Sequence, residues 1–78
     1  MTPALLDVVV LARDLPDQGL RRGDLGTVVE LHSPAAFIVE FVAASGSTQA
    51  LVTLTPSDIR AVADDDLVAV RPVSARAS

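Results

Sequence analysis

Between Arg21 and Leu31 the chain reads Arg21-Arg22-Gly23-Asp24-Leu25-Gly26-Thr27-Val28-Val29-Glu30-Leu31, a tight turn that feeds a strand. Gly23 and Gly26 are the positions where the backbone takes positive φ at little cost. Asp24 between them is placed to accept a hydrogen bond from a neighbouring amide. Thr27 to Leu31 is rich in β-branched residues, which suit a half-buried pleated surface.

Other strands gather around this one. Asp7 to Leu11 is an apolar run of strand length. A long loop over Ala12–Leu20 follows, dense in turn formers, with Leu15 and Leu20 as anchors to the core. A loop longer than most in compact domains points to a functional connection. After the loop His32–Ala35, Ala36 to Val42 alternates as a third strand. Ala43 to Ser47 is a hairpin connection, and Thr48 to Leu54 is the fourth strand. Keeping Glu30 and Glu40 in water sets the register: Val29, Leu31, Phe37, Val39 and Phe41 face inward, with Ala50, Val52 and Leu54. Thr55-Pro56-Ser57-Asp58 carries the signature of one helical turn, a threonine cap followed by proline and a first-turn acid. Ile59 to Val62 makes a short fifth strand. Leu67 to Val73 reads as one more strand, and 74–78 as a frayed, disordered tail. Five short strands, a long first loop and a helical turn before the last core strand predict an all-β fold, a small SH3-like barrel with a possible extra C-terminal strand. The whole of 1–78 reads as a single domain. The runner-up is an OB-fold, which usually needs a longer chain.

At 78 residues the core is small, and with no cysteine there is neither a disulfide nor a thiolate metal site to staple it. Idealised packing or self-association must supply the rest. Phe37 and Phe41 are the only aromatic residues, so the interior is mostly valine and leucine. The net charge is −4 and every base is an arginine. Such a surface repels phosphate at long range, which disfavours nucleic acid and anionic membranes as partners. No signal-peptide pattern or membrane-length apolar run is present, so the expected location is cytoplasmic.

The blocks Leu5–Leu11, Asp14-Leu15-Pro16 and Gly19–Glu30 resemble a family of small bacterial proteins described only as a domain of unknown function. Val39–Val42, Val52-Thr53-Leu54 and Ser57–Val62 continue the resemblance, which runs from about Leu5 to Val73. It implies an SH3-like barrel with no established activity. The chain departs from the pattern at Ile38, where an outer polar residue is expected, and at Ala61, where proline is expected. The glycine-centred turn is also similar to that of KOW-type barrels in ribosomal and transcription proteins.

Candidate chemistry is sparse. His32, the one histidine, is read as an exposed strand-end residue, so no catalytic residue is assigned. Glu30 and Glu40 read as offset carboxylates that solvate the outer face. Asp64-Asp65-Asp66 lacks the interleaved ligands of a calcium loop and reads as a solvated linker; no metal or cofactor is expected. Arg13, Arg21 and Arg22 are assigned to Asp14, Asp17 and Asp24 as ion-pair partners. Gly23, Asp24 and Gly26 are assigned a structural role in the turn. Val28, Ile38, Val42 and Leu51 are left pointing outward as a candidate interface, to be covered by Leu67–Val73 or by a second subunit. The expected function is a non-enzymatic protein-binding or self-associating module, in an accessory, inhibitory or antitoxin-like setting. The alternative is a KOW-like nucleic-acid-associated module.

Overall fold

The computed structural model describes residues 3–73, and the expected tail 74–78 lies outside the described residues. The strands are β1 (Val8–Leu11), β2 (Leu25–Ser33), β3 (Ala36–Val42), β4 (Thr48–Leu54) and β5 (Ile59–Ala61). Short 3₁₀ turns at Pro16–Gln18 and Pro56–Asp58 interrupt the connections. All five strands form one antiparallel sheet in the order β4-β3-β2-β1-β5. Among the described residues no ladder joins β4 to β5, so the sheet is open and both are edges. The expectation of a closed barrel is met only at its coarser level, an all-β fold.

One face of the sheet wraps a single core of Val9, Leu11, Leu20, Val28, Phe37, Val39, Phe41, Ala50, Leu54 and Ile59. Both phenylalanines are buried, as expected, and Leu15 packs against the same cluster. Leu15 and Leu20 also bridge to each other, which ties the first loop to the core as their apolar character implies.

The register of β2 departs from strict alternation. Val28 pairs with Val39 and Glu30 with Ile38, which leaves Val29 as an extra, unmatched residue. Such a bulge reverses the facing of every residue on one side of it. Glu30 faces water as expected and Leu31 shares the face of Phe37, but upstream the pattern is inverted. Val28, expected outside, is fully buried, and Val29, expected inside, is only half-buried. Leu31 lies at the sheet margin and stays exposed.

The C-terminal strand does not form. A turn at Asp64 and Asp65, closed by the Asp66 amide on the Ala63 carbonyl at 3.1 Å, carries the chain off the edge of β5. Leu67 to Val73 then lies outside the sheet, without regular secondary structure. Pro72 lacks an amide hydrogen to contribute to a ladder.

Candidate functional site

The central turn is organised by Asp24. Gly23 sits at φ 98°, in the region where a side chain would strain the backbone. The Asp24 carboxylate accepts the Arg21 amide at 2.8 Å. It also receives the guanidinium of Arg71 on both oxygens, with Nε to Oδ1 at 2.9 Å. A third donation from Arg71 reaches the Gly19 carbonyl at 3.2 Å. Partial burial pushes the Asp24 carboxyl up, but the hydrogen bonds from Arg71 and the Arg21 amide, with the two arginine charges, outweigh it and hold it below its ordinary value.

A second tie lies at the other end of the C-terminal segment. Arg60 on β5 grips Asp66 with two parallel hydrogen bonds of 2.8 and 2.9 Å. The guanidinium bonds, with one from the Ala63 amide, lower the Asp66 carboxyl to about 2. Bidentate pairs of this kind fix geometry as well as charge. In the sheet, Val10 lies between Arg60 on β5 and Leu25 on β2. Val10 is buried, yet it faces away from the core cluster that holds Val9 and Leu11. The strap is thus tied at one end to β5 through Arg60 and near the other to the turn before β2 through Asp24.

The strap leaves much of itself bare. Leu67, Val68 and Val70 are 94%, 74% and 96% exposed. Among the described residues, the backbone of 67–70 makes no hydrogen bond. Beside it runs a mainly apolar groove of about 500 Å³, walled by Leu25, Val42 and Ala43 on the sheet side and by Ala69, Arg71 and Val73 on the strap side.

The four outward residues expected to form an interface are dispersed. Val28 is in the core, because the bulge turns it inward. Ile38 is half-buried on the outer face opposite Thr53, and the exposed Leu51 on β4 stands opposite Glu40. Glu40 separates Ile38 from Val42 on the same face, so the three make no continuous apolar wall. Val42 instead lines the groove beside the strap. In the turn, Gly23 and Asp24 take the roles expected of them, whereas Gly26 does not need positive φ. A β-carbon there would lie 2.5 Å from Val39 Cγ1 and 2.8 Å from Phe41 Cε2. Gly26 is a packing glycine.

The remaining candidates are also placed. His32 is exposed, with the Glu30 carboxylate 3.8 Å away. Glu40 lies opposite Thr27 and Glu30 opposite Ile38, so the two glutamates are offset. Glu40 instead accepts the Thr48 hydroxyl at 2.6 Å. Arg13 pairs not with a loop aspartate but with Asp58, at 2.7 Å. Arg21 and Arg22 use their backbone amides, on Asp24 and Asp14, rather than their side chains. The three aspartates divide, since Asp66 is a tether rather than part of a solvated linker. Arg71 and Asp66 were missed as site residues. A lone arginine shortly before an acidic run was a usable signal for the Arg60–Asp66 pair; nothing local marks Arg71 as the partner of an aspartate 47 positions away.

Fold and surface together define a small open-sheet β domain crossed by a tethered apolar strap. Among the described residues, no cluster of three or more histidine, cysteine or acidic side chains could hold a metal ion, and no helix is long and apolar enough to cross a membrane. The chain belongs to a family known as a domain of unknown function, DUF4926, which matches residues 5–61. The match spans β1 to β5 and stops before the strap. No curated protein and no solved structure matches the chain.

Proposed function

We propose that this chain is a non-enzymatic SH3-like module that binds protein through the strap and the groove beside it. The strand order β4-β3-β2-β1-β5, with a 3₁₀ turn before β5, supports the SH3-like reading, as do the bulges that bend β2. One observation carries the binding role: an apolar segment is tethered by two ion pairs while its leucine and valines stay in water. Exposed apolar side chains that adjoin an apolar groove mark an interaction surface. Among the described residues the backbone of 67–70 has no hydrogen-bond partner and is open to one from a bound segment. With both phenylalanines buried, base stacking has no platform.

The test is retention of proteins from a bacterial lysate, and of the chain itself, on the immobilised full-length protein. It is compared with a Val68→Asp, Val70→Asp variant. The variant should lose the retained material while its circular dichroism spectrum stays unchanged. Equal retention by both proteins refutes the strap as the binding surface.

A further inference from the structure

We propose that the strap is a hinged flap, with Asp66 as its hinge and Arg71 as its single clasp, and that the closed flap is the form that binds. This concerns the regulation of the surface described above and rests on the protein-binding reading. The two ties are not equivalent. At Asp66 the carboxylate takes both guanidinium bonds of Arg60 and the Ala63 amide at 2.7 Å, and the Asp66 amide closes back on the Ala63 carbonyl at 3.1 Å. The farthest of these partners is only 6 residues away, so the knot is local to β5 and re-forms readily when broken. Beyond it, attachment is concentrated in one side chain. Among the described residues, every hydrogen bond from 67–73 to the rest of the chain is donated by Arg71, to Asp24 and to the Gly19 carbonyl. Burial follows the same division, since Arg71 and Val73 are half-buried while 67–70 are exposed. One guanidinium fork therefore joins the strap, the central turn and the first loop. Ala69, Arg71 and Val73 form the strap-side wall of the groove, so releasing the fork removes that wall. Four residues separate the hinge from the clasp, enough to carry Val70 through an arc of about 13 Å radius. A loose strap must be ordered again when a partner binds, so affinity falls with the fraction of time the flap is closed.

Backbone nitrogen-15 relaxation of the full chain, read beside the retention of lysate proteins, tests the proposal. Arg71→Gln removes the charged fork and should raise the open-to-closed ratio roughly tenfold or more. The amides of 67–70 should then move like a free tail, the resonances of Leu25 and Val42 at the groove should shift, and retention should fall severalfold. Arg60→Gln loosens the hinge and leaves the clasp, so the groove resonances and retention should stay near those of the wild type. The core lies between Val9 and Ile59, so the sheet amides should be unmoved in both variants. If Arg71→Gln nevertheless disturbs the sheet, Arg71→Lys carries the same comparison, because it keeps the charge and loses the fork. Equal release by the two variants, or release by neither, overturns the clasp. A strap set free with retention undiminished overturns the gate. A wild type that retains nothing refutes the protein-binding reading and the gate with it, and relaxation still decides whether Arg71 is the clasp.

Discussion

Two glycines three residues apart are needed for opposite reasons. Gly23 has open space where a side chain would go but a backbone at φ 98°, so Gly23→Ala meets only conformational strain. That should cost about 1–2 kcal/mol. Gly26 has ordinary backbone angles but lies against Val39 and Phe41. Gly26→Ala should cost about 1–3 kcal/mol through overpacking of a core that has little room to yield. Guanidinium unfolding midpoints measure both. Trimming the neighbour separates them, because Val39→Ala should offset part of the loss in Gly26→Ala and none in Gly23→Ala. If Val39→Ala rescues both equally, the two glycines do not differ as described.

At the scale of elements, the 3₁₀ turn Pro56–Asp58 and the strap are each held by a carboxylate. Asp58 accepts the Thr55 amide at 3.0 Å and the Thr55 hydroxyl at 3.1 Å, closing a capping box, and it receives Arg13 from the first loop. Burial raises its carboxyl, but the bonds from Arg13 and Thr55 bring it below the ordinary value. Asp58→Ala removes the cap and the link to the long loop together, and should cost about 1–3 kcal/mol in thermal or denaturant unfolding. The strap responds to acid. Asp24 and Asp66 both titrate below the ordinary carboxylate value of 3.8 when folded. Their contribution is complete above that value and is lost as pH falls through the depressed folded values, which for Asp66 is about 2. Amide resonances of the strap should therefore shift toward those of a free chain between about pH 4 and pH 2, ahead of those in the sheet. Strap and sheet changing together would mean that the strap is part of the cooperative core.

For the molecule as a whole, every residue of the core cluster lies between Val9 and Ile59. A chain ending at Val62 should accordingly keep a cooperative transition, with Tm lowered by no more than about 8 °C. A truncated chain that fails to fold would show that the tethered strap is essential to the sheet.

Much of this architecture was legible in local chemistry. Phe37, Val39 and Phe41 alternate without interruption, so β3 and its buried face follow from sequence, and Thr55-Pro56-Ser57-Asp58 declares its own turn. Where a β-branched run meets turn chemistry, the side-chain period of two and the cap preferences determine a strand or a turn with little help from elsewhere. The inward facing of Val28 was decided by tertiary structure, because one extra residue at Val29 changes no propensity and shows only when β3 is alongside. The same is true of the strap: its composition is that of a strand, but Arg71 finds Asp24 only after the sheet has brought distant parts of the chain together. Local sequence sets which conformations are cheap, and long-range pairing sets which of them is used.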